Sequence, residues 1–157
     1  MKAITIWQPW ASLVAIGAKK YETRSWATSY RGPIAIHAAK KAPTYTAATG
    51  FINRILDALK MPNIDYLPRG AVVATAELVE CWEISKVLRD LPSEEISAEL
   101  TSKGHGSLCV HHLEREVILG DWTPGRYAWE LTNVQMLSEP IPAKGMQRLW
   151  TVALPHK

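Results

Sequence analysis

The sequence predicts an α+β chain, a small mixed or antiparallel β-barrel of about six strands with two or three helices outside it. Two observations carry that expectation. Short β-prone segments are spread along the whole chain, whereas helical spacing of apolar residues is confined to a few short stretches. Those helices are too few to cover both faces of a parallel doubly wound sheet. The length of 157 residues suits one domain over residues 1–157 with a sizeable core.

Taken in order, residues 3–7 alternate and read as a strand. Pro9 suits the first turn of a helix, and Trp10, Leu13, Val14 and Gly17 follow at helical spacing. Gly17 can take the left-handed conformation that ends it. Residues 20–26 read as a strand with Glu22, Arg24 and Trp26 on one face and Tyr21, Thr23 and Ser25 on the other. Arg31-Gly32-Pro33 turns into a strand at Ile34–Ala38, and a helix is predicted over 44–60 with Ile52, Ile55, Leu56 and Leu59 on its apolar face. Gly70 opens a long strand from Ala71 to Trp82, and a shorter helix is predicted over 93–102. Residues 103–125 carry Gly104, Gly106, Gly120, Pro124 and Gly125 and read mostly as loop with a short strand or turn. Arg126–Leu137 is the next strand, Pro140-Ile141-Pro142 a bend, and Leu149–Leu154 the closing strand.

Composition narrows the class. The chain is 47% hydrophobic and 21% charged, ordinary for a soluble globular domain, with no apolar run of membrane-spanning length. Two cysteines are too few for a disulfide framework, and Met1-Lys2 leads straight into a strand, so a cytoplasmic location is expected. A net charge of +3 permits a nucleotide or nucleic-acid partner. The stronger bias is aromatic: seven Trp and five Tyr against one Phe. Trp and Tyr combine a flat stacking face with a polar tip, although most of the tryptophans are expected in the core.

The densest chemistry lies between Trp7 and Arg24. Trp7-Gln8-Pro9-Trp10 is followed by Gly17, Lys19, Glu22 and Arg24 in the spacing G-x-K-x-x-E-x-R. Same-face neighbours on a strand stand about 6.8 Å apart, close enough for long side chains to share one ligand. Lys19 can complement a helix dipole, or stabilise an oxyanion and activate a nucleophile. Glu22 and Arg24 can form a plain ion pair, or act respectively as a base on water and as the holder of a carbonyl or phosphate. Glu77 is the sole charge in Val73–Val79 and suits a general acid if its face is buried; the alternative is a face open to solvent. Trp26 is the best stacking candidate, with Trp7 nearby. Lys40 and Lys41 add positive charge to a cleft rim, and His37 reads as a structural hydrogen-bonder. His105, Cys109, His111 and His112 match no strong zinc spacing, so no metal is expected.

The G-x-K-x-x-E-x-R segment, with Gln8-Pro9-Trp10 before it and Tyr30-Arg31-Gly32 and Ile36-His37-Ala38 after it, resembles the ASCH domain of the PUA-like superfamily of small β-barrels. Gly120-Asp121-Trp122, Pro124–Trp129 and Gly145–Trp150 extend the resemblance over nearly the whole chain, closest to stand-alone bacterial, phage and EOLA-like members. It implies a basic, aromatic cleft lined by the motif. Members of the family variously bind RNA or DNA, act as ribonucleases, or hydrolyse N4-acetylcytidine.

The leading expectation is a metal- and cofactor-independent amidohydrolase that removes an acyl group from N4 of a cytidine-type nucleoside. Lys19, Glu22 and Glu77 would be catalytic. Trp26, Arg24, Trp7, Gln8, Arg31 and Lys40 would bind substrate. The amidohydrolases that the chain resembles have Thr where this chain has Glu22. Either a water activated by Glu22 replaces the hydroxyl, or Thr75 contributes, or the reading fails. The alternatives are an RNA-binding module, with Lys19, Arg24, Arg31 and Lys40 on phosphates, and a ribonuclease.

Overall fold

The computed structural model describes residues 1–43, 45–90 and 95–155. Its strands are β1 (Lys2–Ile6), β2 (Tyr21–Arg24), β3 (Gly32–Ala38), β4 (Ala71–Asp90), β5 (Glu95–Ser102), β6 (Gly106–Val110), β7 (Tyr127–Pro142) and β8 (Leu149–Thr151). Its helices are α1 (Trp10–Ala15), α2 (Thr49–Ala58) and α3 (Glu114–Ile118), with a 3-10 turn at Ile64–Tyr66. The strands form one mixed eight-stranded sheet in the order β2-β7-β4-β3-β1-β8, with β5 on β4 and β6 on β5. The path ends on β2 and β8 and is not closed. β1 and β3 are parallel; β1–β8, β2–β7, β4–β5 and β5–β6 are antiparallel. This is an α+β arrangement consistent with a PUA-like fold.

The expected strands are present, but eight strands replace about six, for identifiable reasons. Residues 95–102 form β5, not a helix. Ile96 and Leu100 stand four apart, which fits a helix turn, and small Ala98 between them disguises the period-two alternation. The structure buries all three on one strand face. Residues 93 and 94, where that helix was expected to begin, lie outside the described residues. β4 continues past Trp82 because β5 pairs with its second half, Glu83–Asp90. β7 continues through Pro140 and Pro142, which extended backbone tolerates where no ladder N–H is required. β6 is the short strand foreseen in 103–125, and α3 is additional to it. α2 is shorter than the 44–60 expected, with Ile52 and Leu56 buried and Leu59 51% exposed; Thr44 lies outside the described residues. β2 ends at Arg24, so Trp26 lies beyond strand pairing.

The chain divides into two compact units. Unit 1 comprises Met1–Ala18, Pro33–Glu77 and Asn133–Lys157; unit 2 comprises Lys19–Gly32 and Leu78–Thr132. In unit 1, Ala3, Ala35, Val72, Trp150 and Val152 form a core cluster. In unit 2, the cluster includes Tyr21, Trp82, Ile84, Leu100, Trp122 and Ala128. Trp82, Trp122, Trp129 and Trp150 are buried, as expected for most of the tryptophans.

Candidate functional site

Unit 2 holds the charged part of the motif. Gly17 adopts φ +74°, the conformation that closes α1, and Lys19 follows two residues later. The Lys19 side chain is 1% exposed. Its ammonium donates to the Tyr21 carbonyl oxygen and stands 3.9 Å from Glu22 Oε2. Glu22, 10% exposed at its side chain, places Oε1 3.0 Å from Arg24 Nε. Each carboxylate oxygen therefore faces a different cation.

Several contacts hold this segment in place. Glu22 lies opposite Trp129 in the β2–β7 register. Glu116 of α3 accepts from the backbone N–H of Lys20 and of Tyr21 at 2.6 and 3.3 Å. Lys20 Nζ pairs with Glu130 at 2.9 Å, which raises the Lys20 pKa above its usual value against the opposing effect of burial. A Cβ at Gly120 would stand 3.2 Å from both Lys19 Nζ and Thr23 Oγ1, so glycine leaves the ammonium room. Thr23 Oγ1 accepts from the Asp121 N–H at 3.0 Å. Trp26 is half-buried, its ring edge-on to Trp129 with centroids 4.7 Å apart.

A second charge cluster in unit 2 escaped sequence reasoning. On β4 the buried alternation runs through Val72, Ala74, Ala76 and Leu78 to Glu80, which is 4% exposed. Glu80 pairs with Arg31 and with His105 Nδ1 and accepts from the Cys81 N–H at 2.7 Å. Burial pushes its pKa up, but the Cys81 N–H and the His105, Ser102 and Arg31 side chains outweigh that and hold it down at about 2. The available signal was the alternation itself, because Glu80 continues the fully apolar face and Glu77 lies on the other. Arg31 is thus held by a carboxylate, with its side chain 36% exposed.

The remaining candidates belong to unit 1. Glu77 is half-buried on the face of β4 that it shares with Thr75. Gln8 is fully buried: its amide donates to Ser12 Oγ at 2.8 Å and to the Pro68 carbonyl at 2.7 Å, and its Oε1 accepts from the Ser12 N–H. Trp7 is 46% exposed with Lys41 Nζ 3.8 Å from its ring centroid, a cation–π geometry. Lys40 is exposed at the edge of a cleft. Elsewhere in unit 2, His111 contacts Glu95 and Cys109 is an exposed thiol. Among the described residues, no three His, Cys, Asp or Glu side chains are grouped to hold a metal ion.

The ASCH domain model matches residues 4–141. This chain belongs to the ASCH domain family. Activating signal cointegrator 1 of Homo sapiens is 35% identical over 104 residues, which cover 63% of this chain and 17% of that protein. The Mus musculus protein of the same name matches over the same shares. The ASCH chain thus spans about one sixth of the length of these curated relatives. No described helix is long and apolar enough to cross a membrane.

Proposed function

We propose that this ASCH protein binds single-stranded RNA, with one base held against Lys19, Glu22, Arg24 and Trp26. The observation that carries this reading is the Glu22 carboxylate set between the Lys19 ammonium at 3.9 Å and Arg24 Nε at 3.0 Å. That set presents donors and an acceptor side by side. A pyrimidine edge is complementary to it: an exocyclic amine donates to Glu22, and a ring nitrogen or carbonyl accepts from Lys19 or Arg24. Trp26, braced edge-on by Trp129, offers a face for stacking.

Amide hydrolysis is the second reading, favoured by the burial of Lys19. An ammonium with one N–H on the Tyr21 carbonyl keeps donors for an acyl oxygen. Water would attack the acyl carbon with Glu22 taking its proton. The C–N4 bond would break and the proton would pass to the leaving amine, giving cytidine and a carboxylate.

The test is binding of a labelled single-stranded RNA at two salt concentrations, beside incubation with N4-acetylcytidine. RNA affinity is expected to fall as salt rises, and by about tenfold or more in Lys19→Ala and Trp26→Ala. Absence of RNA binding at low salt overturns the first reading. Release of cytidine that disappears in Lys19→Ala puts the second in its place.

A further inference from the structure

Unit 1 contains a cleft of about 890 Å³ that the motif does not build. Thr5 of β1, His37 of β3 and Gly145 lie on its walls, and Lys40, Arg69 and Lys144 bring three cations to it. Among the described residues no carboxylate lines it, and no ion pair engages those three cations. The side chains of all three are exposed, so they are available to a ligand.

The cleft wall is closely packed. His37 is 1% exposed, and its Nε2 lies 2.9 Å from the Ala143 carbonyl oxygen. A carbonyl only accepts, so Nε2 carries the proton. Nδ1 is buried, has no hydrogen-bond partner among the described residues and is turned toward Gly145. A Cβ at Gly145 would stand 2.5 Å from His37 Cε1, 2.8 Å from Nδ1 and 3.0 Å from Thr5 Oγ1, so only glycine lets the chain pass there. Trp150 packs edge-on to His37, and its Nε1–H donates to Thr5 Oγ1 at 3.1 Å. Ala143 N–H bonds to the Gly70 carbonyl at 3.0 Å, tying Lys144 close to the strand that follows Arg69.

Lys40 and Arg69 also wall a second depression of about 600 Å³, shared with Asp65, Tyr66 and Leu67. Tyr66 is 80% exposed, an aromatic face beside two cations. Asp65, the one carboxylate there, accepts from the Tyr45 hydroxyl.

We propose that this cleft binds a phosphate monoester of a nucleotide. The phosphate sits among Lys40, Arg69 and Lys144, and the base lies over Tyr66. Three unpaired cations suit the double charge of a monoester better than the single charge of one internal phosphodiester. The monoester can come from a free nucleoside monophosphate or from the 5′-phosphorylated end of an RNA. This assignment does not rest on the RNA-binding reading.

The experiment titrates the whole chain with cytidine 5′-monophosphate, cytidine and inorganic phosphate by calorimetry. It then compares one short oligoribonucleotide with a 5′-phosphate and with a 5′-hydroxyl. Lys144→Ala and Arg69→Ala, both at exposed positions, are each expected to weaken the monophosphate by about tenfold. Tyr66→Ala is expected to weaken the nucleotide and leave inorganic phosphate unchanged. Preference for the 5′-phosphorylated oligonucleotide identifies a chain end as a ligand; binding of the free monophosphate without that preference identifies a mononucleotide. Cytidine binding as tightly as its monophosphate overturns the proposal, as does monophosphate affinity unchanged in Lys144→Ala and Arg69→Ala. The 5′-phosphate to 5′-hydroxyl affinity ratio cancels any contribution from Lys19, so failure of the RNA-binding reading remains distinguishable.

Discussion

The carboxylates Glu22 and Glu80 of unit 2 are closed on their own cations, whereas the cations of the unit 1 cleft are left open. Glu22 is flanked by Lys19 and Arg24, and Glu80 by Arg31 and His105. Lys40, Arg69 and Lys144 share a cleft that no carboxylate lines among the described residues. A buried charge must find partners inside the protein or neutralise, so unit 2 pairs its own. An exposed cation keeps its water shell and can wait for an external anion. A closed cluster can present an oriented hydrogen-bonding pattern, while an open one attracts charge.

The largest expected effect breaks the closed side. Glu80→Gln removes the carboxylate held at about 2. A depressed carboxyl stabilises the fold above its unfolded value near 4.5 and loses that contribution as pH falls through about 2. Because Arg31 and His105 reach water, the loss at neutral pH is expected at about 2–3 kcal/mol. Denaturant unfolding from pH 7 to pH 2 should show both proteins losing stability, because Glu114 and Asp121 are also held down, with the gap between wild type and variant narrowing as Glu80 protonates. A gap that stays constant down to pH 2 would mean that Glu80 is not held down.

A smaller effect is expected from Gly145→Ala on the open side. The new Cβ falls 2.5 Å from the His37 ring, so the 143–147 segment must shift, at about 1–3 kcal/mol. Monophosphate affinity should fall with stability. Unchanged stability would show that the segment yields freely and that the cleft wall is soft.

The smallest effect on stability sharpens the comparison. Lys144→Ala removes an exposed cation and is expected to change unfolding free energy by less than about 0.5 kcal/mol while weakening the monophosphate. A substantial stability loss would show that Lys144 has a structural partner, and the two regions would then differ less than described.

Local pattern determined a good deal of this protein. The strand at Lys2–Ile6, the helix closed by Gly17, the strand before the Lys40 edge and the long strands starting near Ala71 and Tyr127 all follow from alternation, helical spacing and glycine placement. The ordered ASCH motifs were legible for the same reason: they are local spacings. Only tertiary structure decided the rest. β5 is a strand because β4 offers it a pairing edge, and propensity over 95–102 does not contain that edge. Alternation puts Glu80 and not Glu77 on the apolar face of β4, but its partners Arg31 and His105, 49 and 25 residues away, reach it only in the folded chain. Lys40, Arg69 and Lys144 come from three separate segments, and their shared cleft depends on a chain passage at Gly145 that no residue with a Cβ could make unchanged. Period and composition act over a few neighbours; charge pairing and clefts depend on distances that only the folded chain sets.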